Sequence, residues 1–262
     1  MKQNYNEILR EYRIYLTEHE KSHATIQKYV RELVWFLSFL QGEEPTKAKV
    51  LEYREQLQQS HQARTVNAKL SAIHSYLDYL GLAACKVRFL KIQHTVFVDD
   101  SRDLTEAEYH RLLDAAKRKK DSRLYHVMLA ICTTGIRVSE LSFLTVEALH
   151  KGKAEIRMKG KIRTILIPGK LCRKLLQYGR AQKIASGEIF LTRSGRGISR
   201  KQVWAEMKAV CRKAGVADSK VFPHNLRHLF ARAFYQASRD VVKLADVLGH
   251  SSIETTRIYL LS

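Results

Sequence analysis

Apolar residues recur every three or four positions along most of the chain, the spacing that places side chains on one face of an α-helix. In the N-terminal third this pattern predicts four amphipathic helices. Their apolar positions are Ile8, Tyr12, Tyr15 and Leu16; Ile26, Tyr29, Val30, Leu33, Phe36, Leu37 and Leu40; Val50, Leu51 and Leu57; and Val66, Leu70, Ile73, Leu77 and Leu80. Gly42 and Gly81 are placed to end the second and fourth helices. We therefore predict a small helical bundle.

The helical period breaks at residues 92–103, where β-formers mix with acidic residues. Thr105-x-x-Glu108 follows and has the form of a capping box, which marks the start of a new helix. We interpret 92–103 as a linker between an N-terminal domain, 1–91, and a C-terminal domain, 104–262.

The C-terminal part has a mixed pattern. Residues 154–158 and 162–168 are rich in β-formers and flank a short Lys-Gly-Lys segment, which predicts a hairpin with a basic tip. Gly135 is placed to end a helix, and Ser251 and Glu254 have the spacing of a second capping box. Helices are predicted at about 105–119, 122–134, 170–185, 199–214, 224–237, 240–248 and from 252 to the end. The fold class is thus mainly α with a small β-hairpin.

The chain is strongly basic, with 46 Lys and Arg against 26 Asp and Glu and a formal charge of +20. Such an excess favours a polyanionic partner over a basic surface that serves solubility alone. Residues 1–91 hold 14 basic and 10 acidic groups, so the remaining 32 basic and 16 acidic groups lie in the C-terminal part. We expect that part to dominate electrostatic contact.

The cysteines and the apolar segments bear on where the protein acts. Cys85, Cys132, Cys172 and Cys211 lie far apart without a CxxC pair, which predicts reduced, mostly buried thiols. The sequence lacks a signal peptide and any apolar run near the ~20 residues of a membrane span. We expect a cytoplasmic protein with no membrane partner.

Arg137 lies in TTGIRVSEL, between the glycine that ends one helix and the start of the next. A guanidinium fixed at such a junction matches two oxygens of a phosphate. The competing interpretation is a helix-end arginine that pairs with Glu140.

In PHNLRH, His224 and Arg227 are three residues apart and share one helical face. Pro223 suits the start of that helix, whose N-terminal end favours a bound anion. We expect His228 to point elsewhere. The competing interpretation of this segment is a solvated polar face.

His250 follows a glycine, and Tyr259 lies nine residues later on the last predicted helix. A free phenol, with a pKa near ~10, is a poor nucleophile at neutral pH. Taken alone, Tyr259 is more typical of helix packing.

Together these segments favour cleavage of a phosphodiester. That reaction needs cations on the phosphate oxygens and a proton for the leaving alkoxide. Two arginines and two histidines supply the first need, and Lys159 at the hairpin tip supplies the second. Acidic clusters suited to two magnesium ions are absent from the sequence, so we expect a reaction without metal or cofactor.

The same motifs resemble the active-site boxes of tyrosine recombinases of the Xer and phage-integrase type. TGIRVSEL, a hairpin lysine, HNLRH, LGH and a tyrosine nine residues further on occur in that family's order, from about residue 104 to 259. The helical N-terminal part resembles the family's SAM-like core-binding domain. The resemblance thus implies a core-binding domain followed by an α+β catalytic domain.

The resemblance also implies roles for six side chains. Arg137 and Arg227 would hold the scissile phosphate, Lys159 would act as general acid, His224 and His250 would assist, and Tyr259 would attack. Lys161 is an alternative general acid, because relatives often have KGxKxR at the hairpin. The product would be a 3′-phosphotyrosyl link, which a 5′ hydroxyl reverses without ATP.

The partners that the resemblance implies are double-stranded DNA at specific sites and further copies of the chain. Four protomers would exchange strands through a Holliday junction in a tetrameric synapse, with accessory proteins that bend DNA or set direction, at the nucleoid. Only three residues follow Tyr259, so the chain is either shortened or assembles without the C-terminal helix of relatives, and no accessory-site domain is indicated before the bundle. The competing functions are DNA relaxation of the type IB topoisomerase kind and non-catalytic DNA binding.

Overall fold

The computed structural model describes residues 5–92, 103–117, 123–158, 160–250, 252–257 and 259. The chain divides into two compact units, Met1–His94 and Thr95–Ser262. The division falls within 92–103, a segment that lies almost wholly outside the described residues, so its role as a linker stays a prediction.

The first unit contains the four predicted helices. They are α1 (Tyr5–Glu18), α2 (His23–Leu40), α3 (Lys47–Ser60) and α4 (Ala63–Tyr79), followed by a short 3-10 helix at Ala83–Cys85. The hydroxyls of Ser22 and Thr46 accept backbone N–H groups that open α2 and α3. The left-handed cap of α2 is Gln41, one residue before the predicted Gly42, and Gly81 follows the cap of α4.

The apolar stripes of these helices meet in one core. Tyr12, Leu33, Phe36, Leu70 and Ile73 are completely or almost completely buried within it. Because all five belong to the predicted stripes, the helical period of the sequence accounts for this bundle.

The second unit is mostly helical with one two-stranded sheet, as predicted. Its helices are α5 (Glu106–Lys117), α6 (Arg123–Thr134), α7 (Val146–Lys151), α8 (Gly169–Ala181), α9 (Arg200–Ala214), α10 (Pro223–Ser238), α11 (Val241–Leu248) and α12 (Ile253–Arg257). No helix was predicted at α7, and the helix start expected after Arg137 is a short 3-10 helix, Val138–Phe143. No helix in the described part of the chain is both long enough and apolar enough to cross a membrane.

The sheet is an antiparallel hairpin of β1 (Lys153–Met158) and β2 (Lys161–Leu166). Ala154, Ile156 and Ile165 point into the core of the unit. Met158 pairs with Lys161, and Gly160 before Lys161 has a φ of +70°. The hairpin is therefore present as predicted, while Lys159 of its predicted basic tip lies outside the described residues.

Local signals at three helix ends have different outcomes. Thr105 and Glu108 form the predicted capping box, with reciprocal bonds of 2.9 Å and 3.2 Å between backbone N–H and side chain. Gly135 follows α6 with a φ of +64°, as predicted. The second predicted capping box needs Ser251, which lies outside the described residues.

All four cysteines are free thiols, as predicted. Cys172 and Cys211 are buried, and Cys85 and Cys132 are half-buried. Burial raises the pKa of the Cys132 thiol to about 11, so it stays protonated at neutral pH.

Candidate active site

Arg227 lies at the centre of the site, on the first turns of α10, and only 1% of it is exposed. Its Nη1 donates to the carbonyl of Gly135, and its Nη2 donates to the carbonyl of Leu248 at 2.7 Å. Nη2 also contacts Nε2 of His250 at 3.0 Å. These partners are uncharged, so the positive charge of Arg227 is not neutralised by a carboxylate in these contacts.

The two carbonyls that hold Arg227 follow directly from secondary structure. Gly135 ends α6 and Leu248 ends α11, and the last carbonyls of a helix carry partial negative charge. Burial and the neighbouring Arg137 lower the pKa of Arg227 to about 10, which leaves it charged at neutral pH.

Arg137 precedes the 3-10 helix and points into the same region. Its Nη1 donates to Glu140 Oε1 at 3.0 Å and its Nη2 to the Gly249 carbonyl at 3.4 Å, while 38% of its side chain stays exposed. The expected pairing with Glu140 is therefore present, and Arg137 also lies beside the Arg227 cluster, whereas its binding of a phosphate stays a prediction.

Glu140 joins two arginines. It accepts the backbone N–H of Arg137 at 2.8 Å and Nη2 of Arg163, on β2, at 2.6 Å, and its side chain is only 5% exposed. Arg163 also donates from Nη1 to the Val247 carbonyl at 2.8 Å. This network ties the hairpin to the Arg137 segment and to the end of α11.

The protonation of Glu140 follows from these partners. Burial acts to raise the pKa of the Glu140 carboxyl, but the backbone N–H of Arg137 and the charge of Arg163 lower it more. The pKa therefore lies below its usual range, and the carboxylate is charged at neutral pH.

Replacement of Glu140 by glutamine should lower the free energy of unfolding by about 3–5 kcal/mol, because Arg163 would lose its buried counter-charge. The control is Glu147→Gln, since the exposed Glu147 accepts the N–H of Gly187 at 3.1 Å and its replacement should leave the free energy of unfolding nearly unchanged. Denaturant unfolding measures both.

The contribution of Glu140 to stability depends on pH. Because the folded pKa of Glu140 is depressed, this contribution is present above the ordinary glutamate pKa and is lost as pH falls through the folded value. A difference between chain and variant that grew on acidification would contradict this account.

His250 has a defined tautomer. Arginine can only donate, so Nε2 of His250 accepts from Arg227, and Nδ1 must donate to the Thr256 hydroxyl at 2.9 Å. Burial and the charges of Arg227 and Arg137 lower the pKa of His250 to about 4. His250 is therefore neutral at physiological pH and is aligned by α12.

Tyr259 lies in this same cluster and is only 5% exposed. Its hydroxyl is 3.3 Å from Nε2 of His224, and its ring centroid is 5.2 Å from that of His250. Burial and the charges of Arg227 and Arg137 lower the pKa of His224, so its ring is neutral at pH 7 and one nitrogen can accept a proton. We name Arg137, His224, Arg227, His250 and Tyr259 the arginine–histidine pocket.

The expectation that His228 points elsewhere is wrong. The rings of His228 and Tyr259 stack, with centroids 4.1 Å apart and planes 27° from parallel. His224 and His228 are four residues apart on α10, so they lie one turn apart on the same helical face. That spacing was the signal, because it places both imidazoles beside whatever packs on this face.

Two glycines leave room for the pocket. A Cβ at Gly249 would collide with the Arg163 side chain, and a Cβ at Gly135 would collide with the ring of Phe230. Both residues also have a φ of +64°, where other residues are strained. Arg137 and His250 therefore each enter the pocket just after a turn that requires glycine.

Comparison with known proteins assigns the chain to a family. The sequence model of the phage integrase family matches residues 102–262, and that of the phage integrase N-terminal SAM-like domain matches residues 9–83. The chain belongs to the phage integrase family.

Relatives support this assignment over nearly the full chain. Tyrosine recombinase XerA of Pyrococcus furiosus is 33% identical over 265 residues, which cover 97% of this chain and 89% of the relative. Tyrosine recombinase XerD of Bifidobacterium longum is 30% identical, with 90% of this chain and 86% of the relative covered.

Solved structures share the fold. The crystal structure of XerA recombinase matches with a TM-score of 0.52 at 25% identity and covers 98% of this chain and 93% of the XerA chain. A lambda integrase dimer bound to a COC′ core site matches with a TM-score of 0.76 at 17% identity, over 97% of this chain and 94% of the integrase chain.

Five of the six residues predicted for catalysis in this integrase-family chain come together in the arginine–histidine pocket. The sixth, Lys159, lies outside the described residues, and the side chain of its rival Lys161 does too. Sequence reasoning did not single out Arg163, whose contacts reach segments far away in the chain, or Thr256, which bonds His250 six residues earlier. Within the described residues, no group of three or more His, Cys, Asp or Glu side chains is placed to hold a metal ion, and a metal-free reaction stays a prediction.

Proposed function

We propose that this member of the phage integrase family is a site-specific DNA recombinase that cuts and rejoins strands through Tyr259. The observation that carries the proposal is the position of the Tyr259 hydroxyl, 3.3 Å from His224 Nε2 in a pocket that also holds two arginines. Neutral imidazoles and a buried Arg227 whose hydrogen bonds go to uncharged partners suit a bound phosphodiester, because it brings its own negative charge.

In the first step the phenolic oxygen of Tyr259 bonds to the scissile phosphorus, and the bond from phosphorus to the 5′ oxygen breaks. His224 is placed to accept the phenolic proton. Arg137 and Arg227 would bind the non-bridging oxygens, where charge develops in the transition state. His250, held by Arg227 and Thr256, would complete the positioning of that guanidinium.

The departing 5′ oxygen needs a proton. We assign this role to Lys159, with Lys161 as its rival, because both belong to the Lys-Gly-Lys sequence that follows β1, and Arg163 of β2 donates to Glu140. The 3′-phosphotyrosyl link conserves the energy of the phosphodiester, so a 5′ hydroxyl of another strand reverses the step without ATP.

Strand exchange implies an assembly. The partners in this proposal are double-stranded DNA at specific sites and other copies of the chain, in a synapse of four protomers, with accessory proteins that bend DNA or set direction. The charge of +20 and a neighbour of the same fold, XerH recombinase bound to its difH substrate, support DNA as the partner. The domains proposed are 1–91 for core binding and 104–262 for catalysis, and the proposed setting is the nucleoid.

The test begins with sites selected from genomic DNA fragments by the purified chain. Selected sites are built as nicked suicide duplexes, and denaturing gels should show a covalent adduct whose nucleotide-linked peptide contains Tyr259. Two sites on one plasmid should then recombine. Relaxation of the plasmid without recombination would favour a topoisomerase, and binding without any adduct would favour a non-catalytic regulator.

Affinity for DNA should fall steeply with salt, because lysines and arginines displace counterions from the phosphates they contact. With about 6–10 such contacts, the association constant should drop by about 10³–10⁵-fold between 50 and 200 mM salt. Fluorescence anisotropy on a labelled duplex measures this slope. Constant affinity over that range would refute the electrostatic part of the proposal.

A further inference from the structure

The ring of His228 lies closer to the proposed nucleophile, Tyr259, than the ring of either other histidine does, although no role has been assigned to His228. Its ring lies 4.1 Å from that of Tyr259, compared with 5.2 Å for His250 and 5.4 Å for His224, and it is the most nearly parallel of the three. The His228 ring therefore covers one face of the phenol.

The face of α10 that carries His228 is continuous under Tyr259. His224, His228, Ala231 and Tyr235 follow one another at spacings of four, three and four residues, which is one stripe of a helix. Ala231 and Tyr259 belong to one apolar cluster, with Tyr235 packed against it. The stripe thus meets the phenol with a polar imidazole at its hydroxyl end and apolar groups further along.

Histidine is a costly residue for mere packing here. Nδ1 of His228 is buried and has no hydrogen-bond partner among the described residues. A buried polar atom of this kind destabilises the folded state, and phenylalanine or leucine at this position would not introduce one. Burial and the neighbouring His224 lower the pKa of His228 to about 4, so the ring is uncharged at neutral pH and offers Tyr259 a flat neutral surface.

We infer that His228 is a positioning residue for the nucleophile: by stacking on Tyr259 it fixes the plane of the phenol, so that the hydroxyl lies at His224 and faces the bound phosphate. This inference rests on the proposed function. A phenol free to rotate about its side-chain bonds would spend little time in the attacking geometry, and a displacement of about 1 Å can cost about 100-fold in rate.

The test compares His228→Leu and His228→Ala, which remove the flat ring, with His228→Phe, which keeps it. Under single-turnover conditions on a nicked suicide duplex, the leucine and alanine variants should form the adduct about 100-fold more slowly, and the phenylalanine variant within about threefold of the unaltered chain. For the leucine and phenylalanine variants, DNA affinity should be unchanged and the thermal midpoint should be no lower than that of the unaltered chain, because neither side chain carries the unpaired nitrogen. The matched control is His126→Ala on α6, where a histidine packs on Tyr178 with centroids 4.5 Å apart, and its rate should not change.

A substrate with sulfur in place of the bridging 5′ oxygen separates positioning from proton donation. A thiolate leaves without a proton from the protein, so this substrate should rescue Lys159→Ala but not His228→Leu. Three outcomes would overturn the inference and leave the proposed function intact. The sulfur substrate could rescue His228→Leu, His228→Leu could form the adduct within threefold of the rate of the unaltered chain, or His228→Phe could lose as much rate as His228→Leu. Absence of any adduct with the unaltered chain would overturn the proposed function and the inference together.

Discussion

The Tyr259→Phe variant is expected to bind DNA as tightly as the unaltered chain, within about twofold, and to form no covalent adduct. Only the phenolic oxygen is lost, so the ring can still stack on His228 and pack near Leu244 and Leu248. Removal of a nucleophile that works with its partner groups should reduce the rate by at least about 10³-fold. Single-turnover adduct formation on a nicked suicide duplex measures the loss, and anisotropy measures binding.

The control for this variant is Tyr235→Phe. Tyr235 packs against the same apolar cluster as Tyr259 but makes no ring contact with the pocket histidines in the described part of the chain. It should retain full cleavage. A persistent adduct in Tyr259→Phe, or its loss in Tyr235→Phe, would move the nucleophile elsewhere.

The second large effect is expected at Arg227. Arg227→Ala should reduce cleavage by about 10²–10³-fold while DNA affinity changes only a few-fold, since the charge acts on the transition state more than on ground-state binding. Arg137→Ala should act in the same direction. Comparison of the adduct rate with the dissociation constant, measured on one duplex, separates the two effects.

Because Arg227 also holds three partners, its loss could act through folding, and two further variants address this. Arg227→Lys keeps the charge but lacks the planar fork that spans the Gly135 and Leu248 carbonyls, so it should remain at least about tenfold slow. Arg232→Ala removes another partly buried arginine of α10, which pairs with Asp103 at 2.7 Å. This variant should leave the cleavage rate of the folded protein unchanged. Equal losses of binding and cleavage at Arg227 would make it a DNA anchor instead.

The elements of this fold could be predicted because they depend on local spacing. The stripes that contain Leu33 and Leu70 repeat at the helical period, and the capping box at Thr105 is a contact within one turn. Arg137, His224, Arg227, His250 and Tyr259 could be proposed as a set because their motifs resemble a known family, although each alone had an ordinary structural interpretation.

The rest of the site depends on contacts between segments far apart in the chain. Glu140 and Arg163 are 23 residues apart, and nothing near either residue predicts that one bonds the other. His228 was misplaced because its position was judged relative to Arg227 alone, whereas its spacing from His224 places it against Tyr259. A helix start was expected after Arg137, but its 3-10 form was not, because the element spans only six residues and is fixed by the Glu140 cap.

The two main-chain carbonyls that bind Arg227 have a consequence for how the sequence of such an enzyme can change. The Gly135 and Leu248 carbonyls lie two residues before Arg137 and His250, so one guanidinium sets the register of two remote reactive groups through main-chain atoms. Main-chain acceptors tolerate changes in the side chains that surround them. Under the proposed function, side chains around these two carbonyls can therefore change in sequence while Arg137 and His250 keep their alignment.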